Sequence, residues 1–336
     1  DRDIIFMGKQ SLWNILGRGI VSVALMGWLA YSIDWPQLLQ VLTSVKLTWI
    51  TLAVVWIIIS MLLSVAKWQA VLKAQGINLK WKELWQAYWT GLFLNNFLPS
   101  SIGGDAWRIY WVREATGDTP GAVASVVVER ILATGGLALT GLMASFFVVQ
   151  PDRKAVMLFL LLVLVSLGLL SLILWGHLPA WTNKRTGRLL NFLRGIESHG
   201  RCLQGQWYRI IYVGVLSVAF QVSVVGVNLS IFQALQISNL LWWDAFYIIP
   251  VTSVAAMLPV GINGYGLREG AYVFLLASYG VVKGTAFASS LLFAFLVSLC
   301  SLYGGWVWLN QRTRGEIADV SVKSSSDCPG TNEVRP

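Results

Sequence analysis

Two arginines, Arg108 and Arg268, lie at the same place in two similar segments and are well suited to bind an anion. Leu98 to Arg108 reads LPSSIGGDAWR and Leu258 to Arg268 reads LPVGINGYGLR, so Leu, Pro, Ile, Gly and Arg recur after a shift of 160 residues. Each arginine follows a Gly-rich break near a helix start, where backbone N–H groups and the helix dipole favour an anion. A guanidinium adds a bidentate fork that suits phosphate. The pattern therefore predicts two anion sites, one in each copy of an internal repeat.

A structural role for these arginines is the alternative. Each can cap a carbonyl of its own segment, or pair with a nearby carboxylate, Asp105 for Arg108 and Glu269 for Arg268. Asp105 itself follows two glycines and is suited to cap the N-terminus of the next helix. The sequence leaves both roles open.

A carboxylate and a further arginine, Glu129 and Arg130, lie inside another apolar run, ASVVVERILATGG. Adjacent residues on a helix point about 100° apart, so these two do not pair with each other. We expect Glu129 to face the protein interior and to balance Arg108 or Arg268. A role as a protonatable coupling group is the alternative. The position 160 residues later is Ser289, so the carboxylate belongs to one repeat only.

Polar residues at the ends of the two segments complete the predicted site. Asn95 and Asn96 end an apolar stretch, where unsatisfied amides are costly, and are expected to bind the turn or a polar headgroup. Asn263 and Gly264 are expected to form a tight turn. The predicted substrate-binding residues are Arg108, Arg268, Glu129, Arg130, Asp105, Glu269, Asn95, Asn96 and Asn263, and the predicted backbone breaks are Pro99, Gly103, Gly104, Pro259, Gly264 and Gly266.

The composition places these residues in a polytopic membrane protein. Of the 336 residues, 56% are hydrophobic and 12% are charged. Soluble domains have about 45–50% apolar and about 25% charged residues. The mean hydropathy of +0.64 excludes a soluble, disordered or disulfide-rich class for the body of the chain. The net charge of +9 comes from basic residues between apolar runs, which are typical of topology signals and contacts with anionic lipid, not of nucleic-acid binding.

The apolar runs predict an all-α fold with six full spans and two re-entrant hairpins, which would be counted as about eight transmembrane helices. Two short runs, Leu84–Leu98 and Asp244–Leu258, stop at a proline and continue into Gly-rich sequence, so their helices are broken. Broken backbone at membrane depth is tolerated only where protein or a water-filled cavity surrounds it. The six predicted spans, each long enough for about 30 Å of hydrocarbon, are Leu12–Ile33, Trp49–Ala66, Ala122–Val149, Ala155–Trp175, Ile210–Leu235 and Thr285–Leu309.

The basic residues predict the orientation in the cytoplasmic membrane. They are concentrated in the N-terminal segment, the loop after the second span (Lys67, Lys73, Lys80 and Lys82), the 176–209 loop and the C-terminal tail. With these segments in the cytoplasm, both termini are cytoplasmic and three spans separate the hairpins, so the repeats are inverted.

The predicted organisation is one integral membrane domain, 1–310, followed by a disordered tail, 311–336. Repeat one covers about 12–149 and repeat two about 155–309. The basic 176–209 loop is either an amphipathic helix on the cytoplasmic leaflet or an ordinary solvated loop.

Enzyme and cofactor signatures are absent from the sequence. It holds no Walker A, GxSxG or HExxH pattern, and the GxG at Gly264–Gly266 lacks the βαβ context of a dinucleotide site. His177 and His199 are its only histidines, so a histidine-based metal centre is not expected. We expect neither a metal nor a cofactor.

The motifs NNFLPSSIGGDAWRIYWVRE, ASVVVERIL and LPVGINGYGLREGAY together resemble the lysylphosphatidylglycerol synthase transmembrane-region family, also described as flippase-like integral membrane proteins. The similarity covers nearly the whole chain. In the best-known member, a domain of this kind flips an aminoacylated phospholipid made by a fused synthase domain. The resemblance therefore implies lipid translocation. Because only a tail follows Leu309, we expect no fused aminoacyl-transferase domain.

Three functional hypotheses follow. The first is a lipid translocase that moves an anionic or zwitterionic headgroup, of a phospholipid or a polyprenyl-phosphate lipid, across the cytoplasmic membrane. The second is a membrane-embedded transferase that acts on a lipid-linked donor, and the third is a non-transporting partner of a separate lipid-modifying synthase or transferase.

Overall fold

The computed structural model describes residues 24–29, 31, 35–36, 43, 45–97, 103–148, 151–175, 195, 198–200, 202–258 and 263–314. The predicted span Leu12–Ile33 and the 176–209 loop lie largely outside these residues. Both hairpin prolines, Pro99 and Pro259, and the tail after Arg314 lie wholly outside them.

The described chain is α-helical. Its long helices are α1 (Leu47–Ala74), α2 (Trp81–Phe97), α3 (Gly103–Thr116), α4 (Thr119–Ala144), α5 (Arg153–Trp175), α6 (Trp207–Ala234), α7 (Trp242–Met257), α8 (Leu267–Ala277) and α9 (Lys283–Arg314). Five of them, α1, α4, α5, α6 and α9, are long and apolar enough to cross a membrane. They correspond to five of the six predicted spans, and the shorter pairs α2–α3 and α7–α8 correspond to the two predicted hairpins. The predicted all-α membrane fold is therefore confirmed, while the re-entrant course of each hairpin stays a prediction.

The helix ends support the internal repeat. Both ends of α6 follow the ends of α1 by the 160 residues that separate the two arginine segments. The turns after these helices also match, because Gly76 and Gln236 both have positive φ, 80° and 58°. In each turn one backbone bond of 2.9 Å closes the helix, from Ile77 to Leu72 and from Ile237 to Phe232. The opposite orientation of the two repeats stays a prediction.

The hairpins position the site because each one packs against the other repeat. Helix α1 lies along α6, α2 packs on α9, and α7 packs on α4. At the α2–α9 contact, Thr90 Oγ1 donates a 3.3 Å hydrogen bond to the carbonyl oxygen of Gly304. A Cβ at Gly304 would overlap the backbone of Trp89, so only glycine allows this approach. Each hairpin is thus held between the long helices of both repeats.

Two predicted boundaries are wrong. Helix α1 continues to Ala74, so Lys67 and Lys73 lie in a helix and not in the cytoplasmic loop. Lys67 is 1% exposed and pairs with a carboxylate, which allows the helix to continue past it. Helix α9 continues to Arg314, so the start of the predicted tail is helical. Gln311 is buried there, and its Nε2 donates to Gln86 Oε1 at 3.2 Å.

Candidate functional site

The first hairpin is closed by Asn95. Its Oδ1 accepts a 2.7 Å hydrogen bond from the backbone N–H of Gly104, near the start of α3. A Cβ at Gly104 would overlap Asn95 and the backbone of Gly91, so this glycine permits the close approach of α2 and α3. The first of the two expected roles of Asn95, binding within the hairpin, is therefore present.

The second hairpin has the predicted tight turn. Asn263, Gly264 and Gly266 have φ of 52°, 76° and 86°, a left-handed conformation that glycine and asparagine adopt most easily. Glu269 then caps α8, since its Oε2 accepts a 2.6 Å bond from the backbone N–H of Gly266. Its Oε1 accepts a 3.2 Å bond from Ser290 Oγ. The carboxylate is thus engaged by its own helix start and by α9.

The ends of the two hairpins touch. Asn263 Nδ2 donates a 2.6 Å hydrogen bond to the backbone carbonyl oxygen of Asn95, which is on the last turn of α2. The two arginine-bearing segments, separated by 160 residues in sequence, therefore meet at one place in the fold.

Around Arg108 the structure assembles a cluster of charged side chains from three helices. Glu129 on α4 accepts a 3.0 Å bond from Arg108 Nη1 with Oε2, and its Oε1 lies 3.4 Å from Lys67 Nζ on α1. All three residues are at most 2% exposed. The prediction that Glu129 faces the interior and balances Arg108 is confirmed.

Asp105 connects Arg130 to this group. Its carboxylate accepts two bonds from Arg130, 2.9 Å from Nε and 2.7 Å from Nη2, and lies 3.5 Å from Arg108 Nη1. The prediction that Asp105 is an N-cap is wrong, because it is the third residue of α3 and its carboxylate binds arginine. We call these five residues, Lys67, Asp105, Arg108, Glu129 and Arg130, the Arg108 cluster.

The Arg108 cluster carries an excess positive charge. Three cations face two carboxylates, which leaves one positive charge without a counter-charge inside the cluster. The Arg108 guanidinium contacts two rings that pack edge to face, at 4.3 Å from Trp68 and 4.5 Å from Tyr88. Its Nε and Nη2 are buried and have no hydrogen-bond acceptor among the described residues. Unsatisfied buried donors are rare and costly, so an oxygen acceptor for these two N–H groups would stabilise the cluster.

Arg268 has a different environment. Among the described residues no carboxylate lies within ion-pairing distance of it, so the alternative in which Glu269 neutralises Arg268 is wrong. Its guanidinium lies 5.6 Å from the Phe293 ring. It faces a cavity of about 70 Å³, which we call the Arg268 pocket, lined by Asn96, Asn263, Tyr265, Arg268, Phe293, Ala294, Val297 and Ser298.

Asn96 is a second polar residue in the lining of the Arg268 pocket. Its Nδ2 is buried without a hydrogen-bond partner in the described chain. A volume of about 70 Å³ exceeds the share of one water, about 30 Å³. The pocket therefore has an arginine and an asparagine in its lining, and its space admits a small polar group.

Three residues of the site were missed by sequence reasoning: Lys67, Trp68 and Tyr88. The signal for Lys67 was a single lysine near the end of an apolar run, which hydropathy alone assigns to a loop. The two aromatic residues are not distinctive among the eighteen tryptophans and ten tyrosines of the chain.

The sequence model of one protein family matches the chain over residues 15–304, and its description is lysylphosphatidylglycerol synthase TM region. The match covers most of the chain. The chain belongs to this family. Both arginine sites of this chain, the Arg108 cluster and the Arg268 pocket, lie inside the matched segment.

Two curated relatives agree with this membership. A UPF0104 membrane protein of Methanocaldococcus jannaschii is 33% identical over 121 residues, which is 35% of this chain and 36% of the relative. A UPF0104 membrane protein of Pyrococcus horikoshii is 27% identical over 127 residues, 37% of this chain and 36% of the relative. The chain thus aligns with about a third of the length of each relative. The similarity extends to membrane proteins of two archaea.

Proposed function

We propose that this protein binds a lipid with an anionic or zwitterionic headgroup and translocates it across the cytoplasmic membrane. The observation that carries the proposal is the Arg108 cluster, where a surplus cation and two unpaired donors of Arg108 are held within an apolar helical bundle. Ionisable groups at membrane depth are costly and are found at substrate and ion pathways. The family description, which names a phospholipid synthase, agrees with a lipid ligand.

A phosphate oxygen would satisfy what the cluster lacks. It would accept from Arg108 Nε and Nη2 and offset the surplus charge, since charge-assisted bonds between guanidinium and phosphate are among the strong ones. Trp68 and Tyr88 fix the plane of the guanidinium and limit the direction from which an oxygen can approach. Asp105 and Glu129 hold the cations in place and act as positioning residues.

The Arg268 pocket is the second headgroup-binding site in this proposal, and the Arg108 cluster is the first. Tyr88, against Arg108, and Asn96, in the Arg268 pocket, are eight residues apart on α2, about 12 Å along the helix at 1.5 Å per residue. A headgroup can therefore pass from one arginine to the other over a short distance. Glu269 contributes to this second site indirectly, because it caps the helix that carries Arg268.

The headgroup class follows from these donors. Both arginine sites offer N–H groups, so a phosphate is a ligand that suits both of them. A phospholipid or a polyprenyl-phosphate lipid carries such a phosphate. In the proposed topology both termini are cytoplasmic, and the first hairpin enters from the cytoplasm and the second from outside. Each arginine site therefore binds headgroups of one leaflet.

Lipid flipping in proteoliposomes tests the proposal. Purified protein is reconstituted with headgroup-labelled fluorescent phosphatidylglycerol or phosphatidylcholine, beside protein-free vesicles, and dithionite is added. Quenching beyond the outer-leaflet fraction with protein present is expected. Quenching limited to that fraction for both lipids, and for a labelled polyprenyl phosphate, would contradict translocation. Covalently altered lipid after incubation would indicate the transferase, and transport that needs a co-purified synthase would indicate the partner role.

A further inference from the structure

A second cavity, open and apolar, lies between α4, α5 and α6. Its volume is about 570 Å³, and its lining is aliphatic except for Ser166 and three glycines, Gly135, Gly136 and Gly214. The lining contains no charged residue. A Cβ at Gly214 would meet nothing within 4 Å, so the space in front of this glycine is empty of protein atoms.

This second cavity, which we call the groove, begins beside the Arg108 cluster. Glu129, Leu132 and Gly136 lie on one face of α4 at helical spacing, and the last two line the groove. On α6, the Phe220 ring lies 4.3 Å from Lys67 Nζ, and its neighbour Ala219 lines the groove. About one helix turn therefore separates the buried charges of the cluster from the uncharged groove. A phospholipid has the same arrangement, with a charged headgroup next to an apolar chain.

The occupant follows from this continuity and from the depth of the groove. All three helices are apolar enough to span a membrane, so we expect the groove to open onto hydrocarbon. Its lining residues Leu139, Leu167 and Val215 are exposed, so the groove is open to the surroundings of the helices. A flexible hydrocarbon chain fits such a channel, whereas a polar headgroup would lose hydrogen bonds there.

We propose that this groove holds a hydrocarbon chain of the lipid whose phosphate binds at the Arg108 cluster. The inference rests on the proposed function for the headgroup, but it adds a separate site with its own ligand chemistry, an acyl or prenyl chain.

The test uses two glycine variants and lipid retention. Gly214→Leu places a side chain in the groove without a clash at Cβ. Gly168→Leu is the matched control, because its Cβ also meets nothing within 4 Å and it lies on the exposed side of α5, outside the groove lining. Native mass spectrometry of each variant in detergent, titrated with phosphatidylglycerol, measures bound lipid per protein.

We expect at least about tenfold weaker lipid retention in Gly214→Leu, because the leucine side chain displaces at least two methylenes of the hydrocarbon chain. Gly168→Leu retains lipid as the wild type does. Equal lipid retention in both variants overturns the inference. A change of oligomeric mass in Gly214→Leu without loss of lipid also overturns it, because the groove would then be an interface between protein chains.

A second measurement keeps the inference testable if Gly214→Leu does not fold. Phosphatidylglycerol with a diazirine in one chain is photo-crosslinked to the wild type at low lipid-to-protein ratio, and the adducts are mapped by peptide mass spectrometry. Adducts concentrated on α4 and α6 lining residues support the groove, and adducts spread evenly over exposed helix faces contradict it. Loss of lipid retention in Gly214→Leu, with no flipping by the wild type, would support the groove as a hydrocarbon site and contradict translocation. Loss of lipid retention in Lys67→Met alone, with normal retention in Gly214→Leu, would support headgroup binding at the Arg108 cluster and contradict the groove as a hydrocarbon site.

Discussion

Asn263 Nδ2 donates a 2.6 Å hydrogen bond to the carbonyl oxygen of Asn95, and this bond joins the ends of the two hairpins. The same α2 helix places Tyr88 against Arg108 and Asn96 in the Arg268 pocket. We therefore expect a displacement of either hairpin to reach both arginine sites through α2, so that the two hairpins move together.

Asn263→Gly tests this contact. Glycine tolerates the positive φ at this position, so the variant removes the side-chain bond without straining the turn. We expect unfolding free energy to fall by about 1 kcal/mol, the net value of one hydrogen bond, and the flipping rate to fall several-fold. Gln236→Gly is the matched control, because Gln236 also has positive φ but lies outside the hairpins. Unchanged flipping in Asn263→Gly would show that the contact has no part in transport.

Glu129→Gln should destabilise the fold. The substitution leaves Lys67 and Arg108 buried beside a neutral amide, and removing one partner of a buried ion pair costs about 3–5 kcal/mol. The double variant Lys67→Met, Glu129→Gln restores the original net charge of the cluster and should recover much of this loss. Thermal unfolding in detergent checks both. Full stability of the single variant would mean that Glu129 is not needed as a counter-charge.

Lys67→Met should impair lipid binding more than folding. Glu129 keeps its 3.0 Å bond with Arg108, while the cluster loses its surplus positive charge. We expect at least about tenfold weaker binding of anionic lipid, since a charge pair of this kind is worth 1.4 kcal/mol or more in differential binding. Lys73→Met, also on α1 but exposed, is the control. Equal binding by the two variants would place the headgroup elsewhere.

The start of α4 should respond to pH through His199. Its Nε2 lies 2.8 Å from Asp118 Oδ2, and its Nδ1 lies 2.8 Å from the carbonyl oxygen of Gly195. The hydrogen bond with Asp118 raises the pKa of His199 above its usual value, and the bond with His199 lowers the pKa of Asp118. Both ring nitrogens donate only in the protonated form.

The sign of the effect follows from these directions. The His199 contribution is complete below the pKa of the unfolded histidine, about 6.5, and is lost as pH rises through the raised folded value. The Asp118 contribution is lost only as pH falls through its lowered pKa, so it stays constant in this window. We expect the melting temperature to fall as pH rises above about 6.5, and to fall less in His199→Asn. Parallel curves for the two proteins would contradict this pairing.

The sequence predicted that two apolar runs are broken into pairs of short helices because prolines and glycines interrupt them. It predicted the interior position of Glu129 because a lone carboxylate in an apolar helix must face protein. It could not separate Arg108 from Arg268, which occupy equal positions in the repeat. Their difference depends on partners elsewhere: Glu129 in one repeat corresponds to Ser289 in the other. Lys67 was missed for the same reason, since hydropathy ends a span at a lysine unless its distant counter-charge is known.

Lipid translocation past Arg268 is tested by dithionite-monitored flipping of fluorescent phosphatidylglycerol by wild type, Arg268→Gln and Arg153→Gln. Arg153 is an exposed arginine at the start of α5 and controls for the loss of one charge. We predict that wild type and Arg153→Gln expose the inner-leaflet lipid and that Arg268→Gln does not, at equal folded yield. Flipping by Arg268→Gln at the wild-type rate would contradict a role of Arg268 in translocation. Loss of transport only together with loss of folded protein would assign Arg268 a structural role instead.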